Sequence, residues 1–138
     1  QALHRSFLLS LDNAHGVHPN FQEKYDPQHL PLLNHGPVIK YNANQRYATT
    51  SRSAALYKTI AREADVPFQE FVMNNDLSCG STIGPITATS LGIQTVDIGI
   101  ASLAMHSIRE MVGSKDPQLL YQTIRHFFKR PQLPHFED

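Results

Sequence analysis

The sequence is short of cysteine, of net charge and of long apolar runs. Its single cysteine, Cys79, excludes an internal disulfide and fits a reducing compartment such as the cytoplasm. Twelve Lys and Arg residues balance twelve Asp and Glu, so no excess charge argues for a nucleic-acid or membrane surface. No apolar stretch nears the roughly 20 residues that a membrane-spanning helix needs, and nothing at the start has the pattern of a signal peptide. No Walker motif, dinucleotide fingerprint, CxxC, HExxH, internal repeat or low-complexity segment is found. What remains is one ordinary domain of 138 residues, 41% hydrophobic, enough for a single core.

Histidine is the residue in excess, with eight copies. His4, His29, His35, His126 and His135 read as polar surface residues with no assigned role. Gln1-Ala-Leu-His-Arg5 reads as the tail of a helix whose start lies elsewhere, an expectation of a processed chain or fragment.

The most informative stretch is Ser10-Leu-Asp-Asn-Ala-His-Gly-Val-His-Pro-Asn20. Residues 7–11 are apolar on both parities, as in a strand buried on both faces of a mostly parallel sheet. Asp12, His15 and His18 follow at its end, where open α/β sheets place their ligands. Carboxylate oxygen and imidazole nitrogen suit zinc or a similar divalent ion. The plainer reading of Asp12, a loop-starting residue that binds backbone N–H groups, has even weight on the local pattern. Gly16 and Pro19 place both histidines in a loop, where their rings need not converge.

Residues 20–37 form a long polar connection, of the kind that is functional or covered by a partner. Residues 38–42 alternate as a strand, with Lys40 opposite Ile39; the commoner fate of such a lysine is solvent. Residues 42–46 are a turn and 47–50 a short extended piece. A helix is predicted over 51–65, capped by Thr50 or Ser51, with Leu56, Ile60 and Ala64 as its stripe and Val66-Pro67 as its stop. A strand over 68–73 and a loop over 74–85 lead to a helix over 83–91, capped by Ser81 or Thr82 and stopped by Gly92. Residues 93–100 are a third buried strand. Strand, helix and strand from 68 to 100 are predicted to form a parallel βαβ unit with a right-handed crossover. His106 then lies just past a strand end, as Asp12 does. Asp116-Pro117 reads as a cap and first helical proline, with Leu120, Ile124, Phe127 and Phe128 as the apolar stripe. Cys79 has no base beside it in sequence and reads as inert.

From the residues alone, this is an α/β domain with a candidate metal site. Five motifs add a resemblance: Asp12-Asn-Ala-His-Gly-Val-His-Pro-Asn20, Asn34-His-Gly-Pro-Val-Ile-Lys-Tyr-Asn42, Asn44-Gln-Arg-Tyr-Ala-Thr49, Cys79-Gly-Ser-Thr-Ile-Gly-Pro85 and Leu103-Ala-Met-His-Ser-Ile-Arg-Glu110. In this order and spacing, from Ser10 to Phe128, the chain resembles the C-terminal part of bacterial aspartyl aminopeptidases. The resemblance implies a three-layer α/β/α sandwich with a mostly parallel sheet, residues 1–138 being the C-terminal portion of the catalytic domain. It implies two zinc ions, with Asp12 on one and His106 on the other. His15 would stand near the scissile carbonyl, and Lys40 and Tyr47 would line the substrate pocket, Lys40 facing an acidic side chain. Peptides with N-terminal Asp or Glu would be the substrates of a cytoplasmic homo-oligomer.

The family's general-base Glu and its other ligands have no counterpart here. The resemblance therefore implies that the N-terminal part of the same subunit supplies them and that no catalytic base lies in this chain. A non-catalytic assembly module of the same oligomer is the alternative reading. Asn74 stands where relatives often carry a basic residue, and Asn13 where many carry an apolar one.

Overall fold

The alternation of the strand sequences is realised in a four-stranded sheet, seen in a computed structural model that describes residues 2–42, 44, 46–72 and 80–134. The elements in chain order are β1 (Phe7–Leu11), β2 (Ala14–His15), β3 (Val38–Tyr41), α1 (Ser51–Glu63), β4 (Gln69–Val72), α2 (Gly84–Leu91), β5 (Gln94–Gly99), β6 (Ala101–Leu103), β7 (Met111–Val112) and α3 (Asp116–Lys129). Leu3–Arg5 and Gln22–Lys24 are single 3-10 turns. The main sheet runs β1-β5-β3-β4 and a smaller one β2-β6-β7. β1 pairs with β5, β3 with β4 and β2 with β6 in parallel, whereas β3–β5 and β6–β7 are antiparallel. The predicted α/β class with a mostly parallel sheet is therefore observed.

Period-two alternation assigns the two faces of this sheet. Ile39, Val96 and Ile98 pack with Ala54, Tyr57 and Ala61 of α1, and Phe7, Leu9 and Leu120 of α3 close that side. Val38, Phe71 and Tyr47 form the opposite side, together with Tyr25 and Leu33 from the 20–37 connection. α2 meets this second side, where Gly84 lies against Asp97. Helices on both faces of a sheet are the three-layer arrangement. The fully buried Tyr57 and Ile60 of α1 each contribute about 1.5–3 kcal/mol through removal from water. Thr50 begins α1 with a reciprocal capping box to Ser53.

Several expectations are corrected. β4 and β5 are not a parallel βαβ pair: both flank β3, one parallel and one antiparallel to it, so they run in opposite senses. The parallel unit joined by a helix is β3-α1-β4. Apolar runs show that a strand is buried but carry no information about its direction. In β1 only Ser10 is buried, Phe7, Leu8 and Leu9 being half-buried and Leu11 exposed, because the strand occupies the sheet edge among the described residues. α2 has no side-chain cap; Ile83 is the N-cap, and Thr82 is used elsewhere. The Asp116 carboxyl does not cap α3 but accepts from the N–H groups of Asn34 and Gly36, at 2.7 and 3.0 Å. It thereby ties the 20–37 connection to the helix start. Phe128 is 76% exposed rather than part of the α3 stripe. Gly92 ends α2 in the left-handed conformation, as predicted. The predictions touching Met73, Asn74 and Cys79 lie outside the described residues.

The β2–β6 ladder continues the β1–β5 one. Asp12 N–H donates to Ile98 O, Ala14 to Ile100 O and Gly16 to Ser102 O, at 3.1, 2.9 and 2.9 Å. The chain from β1 through β2 thus runs beside β5 and β6 without a gap. A side chain at Gly99 would place its Cβ 1.6 Å from Asp12 O. Only glycine allows the Asp12 backbone to pass there.

Candidate metal and substrate site

Asp12 leaves the end of β1 with an exposed carboxylate, whose Oδ1 accepts the Asn13 N–H at 2.8 Å. This is the loop-starting bond that the plainer reading anticipates. His15 lies on β2, paired with Ser102 of β6. Its inward neighbours Ala14 and Ala101 are buried, which turns the imidazole outward. Although the residue is exposed overall, partial desolvation of the imidazole by its surroundings lowers the His15 pKa from the ordinary imidazole value. The neighbouring His106 and Lys40 lower it further, and Asp12 opposes them. His15, His106, Lys40 and Asp12 therefore share one electrostatic neighbourhood, although they come from distant parts of the chain.

His106 sits in the loop of the β6–β7 hairpin, closed by the Ser102–Val112 and Leu103–Met111 pairs. Ala104 and His106 both have positive φ, 55° and 69°. Non-glycine residues in this region store about 1–3 kcal/mol each and persist where surroundings enforce them. Here the His106 N–H donates to the Glu110 carboxylate at 2.5 Å, and the Ser107 N–H to Ala104 O at 3.0 Å. Glu110 was not singled out from the sequence. Its only signal was its place within the Met-His-Ser-Ile-Arg-Glu motif.

Lys40 departs from the solvated lysine of the plain reading. It is 1% exposed on β3, and Nζ donates to Asn13 O at 3.2 Å and Asp12 O at 3.4 Å. Its ammonium also lies 5.2 Å from the centre of the Tyr47 ring, a cation–π distance. Tyr47 is buried, edge-on to Phe71. Lys40 and Tyr47 are thus brought to the underside of the Asp12 loop. His18 is not gathered in: its Nδ1 accepts the Asn20 N–H at 3.1 Å and its ring lies beside Phe21. The 20–37 connection is held internally, by Tyr25 donating to Gly16 O at 2.9 Å and by Gln69 bonded to both backbone groups of Leu32.

The Asp12 carboxylate and the His106 imidazole are donor types that fit zinc. The set is incomplete: among the described residues no group of three or more His, Cys, Asp or Glu is placed to hold a metal ion. Asp97, missed by the sequence reading because it interrupts an apolar strand, is fully buried directly beneath this edge. Its position in an otherwise apolar run was the available signal.

Residues 1–128 match the protein family described as aminopeptidase I zinc metalloprotease (M18). The probable M18 family aminopeptidase 2 of Ectopseudomonas mendocina is 54% identical over 134 residues, 97% of this chain and 31% of that protein. The Ape4 chain solved by cryo-EM in complex with Nbr1 superimposes with a TM-score of 0.86 at 49% identity, over 91% of this chain and 25% of that one. The mApe1 dodecamer of S. cerevesiae gives a TM-score of 0.83 at 38% identity, over 93% of this chain and 28% of that one. The chain spans about a third or less of the length of these relatives.

Proposed function

Because the chain belongs to the aminopeptidase I zinc metalloprotease (M18) family, we propose that it forms part of an aminopeptidase that removes N-terminal Asp or Glu from peptides. The observation that carries this reading is the Lys40 ammonium, held 3.4 Å from the Asp12 carbonyl oxygen and 5.2 Å from the centre of the Tyr47 ring. In this reading Asp12 holds one zinc ion and His106 a second. Zinc, when bound, polarises a peptide carbonyl and brings the pKa of a bound water toward neutrality. The general-base Glu and the remaining ligands come from the rest of the subunit.

The residues of this chain orient and bind. His15, with its pKa lowered by burial, presents a neutral imidazole near pH 7 that can donate a hydrogen bond to the scissile carbonyl. The Lys40 ammonium beneath Tyr47 supplies positive charge for an acidic substrate side chain, and the Tyr47 hydroxyl donates to the same carboxylate. Lys40 also holds the carbonyls of Asp12 and Asn13, so substrate recognition and the placement of Asp12 share one side chain. A cytoplasmic setting is supported by the single cysteine. A homo-oligomer is supported by the dodecameric mApe1 relative.

The test is turnover of Asp, Glu and Leu aminoacyl substrates by the full-length protein loaded with zinc. Acidic substrates are expected to be preferred, and Lys40→Ala to cost them more than the neutral one. Equal losses for Asp and Leu contradict the role given to Lys40. The 138-residue chain alone is expected to be inactive, and turnover by it refutes the assignment of the general base to the rest of the subunit.

A further inference from the structure

We propose that Asp97 is the positioning residue that sets Tyr47 in the substrate pocket, an inference that rests on the contact proposed between Tyr47 and the substrate. Asp97 lies in the middle of β5 and is 0% exposed. Its Oδ2 accepts the Ala48 N–H at 2.5 Å, and its own N–H donates to Thr49 Oγ1 at 2.9 Å. One residue therefore grips the two that follow Tyr47. The 47–50 segment belongs to no helix or strand, and Thr50 at its end is held by the α1 capping box. The other oxygen, Oδ1, accepts from Ser10 Oγ at 2.5 Å and Thr82 Oγ1 at 2.8 Å. Ser10 stands two residues before Asp12 on β1. A single carboxyl thus fixes the Tyr47 segment relative to the strand end that carries the candidate metal ligand.

The surroundings are shaped for this carboxyl. A Cβ at Gly84 would lie 2.4 Å from Oδ1, so the start of α2 can approach only as glycine. A polar group in a central strand is costly unless each of its atoms is satisfied. An apolar residue would serve packing alone at this position. The four bonds instead connect one strand residue to β1, the 47–50 segment and the α2 start, the three pieces that must agree for Tyr47 to stand over Lys40.

The test is a double-mutant comparison in the full-length, zinc-loaded protein, using whichever aminoacyl substrate it turns over fastest. Asp97→Asn replaces one of two acceptor oxygens with a donor. Thr49→Val removes the acceptor of the Asp97 N–H and leaves the carboxyl untouched. Each is expected to raise KM about tenfold while kcat stays within about threefold. On a Tyr47→Phe background the same changes are expected to shift KM less than about twofold, because the group they position is gone. A full effect on that background, a loss confined to kcat, unchanged KM in both variants, or a Tyr47→Phe protein with wild-type KM each overturns the inference. Should Asp97→Asn fail to fold, Thr49→Val makes the comparison alone. A wild type without acidic preference refutes the specificity reading and leaves this test intact, because the substrate is chosen by rate.

Discussion

On the inner side of the strand ends, Lys40, Asp97 and Asp116 are each 0–1% exposed and bonded to backbone or hydroxyl groups from distant segments. No buried side-chain nitrogen or oxygen among the described residues lacks a partner. On the outer side, Asp12, His15 and His106 are exposed, and His106 sits in a hairpin loop with two positive-φ residues. The inner groups find their partners within this chain, whereas the outer ones are those proposed to hold metal and substrate. In the proposed reading stability and function are therefore divided between the two sides, with Lys40 the residue they share. Changes inside are expected to cost folding, and changes outside to cost binding at little or no cost in folding.

The largest expected effect breaks the inner side. Gly99→Ala forces a methyl into the Asp12 carbonyl, 1.6 Å away, so backbone must move. A loss of about 3 kcal/mol or more is expected by urea unfolding, together with weaker metal binding; a loss below about 1 kcal/mol would show that the two strand ends are not locked. Lys40→Met comes next. It strips the donor from two carbonyls that are only partly buried, for an expected loss of about 1–2 kcal/mol. An unchanged unfolding midpoint would place the ammonium's role in substrate binding alone.

His106→Gly sharpens the contrast in the opposite direction. Glycine adopts the φ of 69° without strain, so the midpoint is expected to stay or rise by up to about 1 kcal/mol while the ligand is lost. A clear destabilisation would make His106 a folding residue. The smallest effect lies at the Lys58–Glu70 pair, 2.8 Å apart. Burial raises the Glu70 pKa, but its bonds to Lys58 and Tyr41 outweigh this and leave it lowered. Because the folded value lies below the unfolded one of about 4.3, this stabilisation is complete above that pH and is lost as pH falls through the folded value. Glu70→Gln is expected to cost about 0.5 kcal/mol at pH 7 for so exposed a pair, and nothing once the carboxyl is protonated. A cost independent of pH in urea titrations would exclude the ion pair as its source.

Much of the architecture was legible where local chemistry acts alone. The stripe of α1, its Thr50 cap, the Gly92 stop and the buried β5 all follow from propensity and periodicity. Strand direction was not, because β4 and β5 look alike as sequence whether they run together or apart. Asp116 before Pro117 has the signature of a cap, and a tertiary demand from Asn34 and Gly36 overrides it. Asp12 and His106 were visible as chemistry at strand ends, and the structure puts both in the neighbourhood of His15. The support beneath them was not visible: Lys40 reads as a solvated strand lysine, and Asp97 gains a role only through its bonds to the 47–50 segment.

Zinc content bears most directly on the division between the faces. It is measured in the full-length protein and in its Asp12→Ala and His106→Gly variants, with each unfolding midpoint recorded alongside. The account predicts two ions per subunit in the wild type and one fewer in each variant, with midpoints of the zinc-free proteins within about 1 kcal/mol of wild type. Wild-type zinc content in both variants would contradict it, and the outer face would then have no metal to hold.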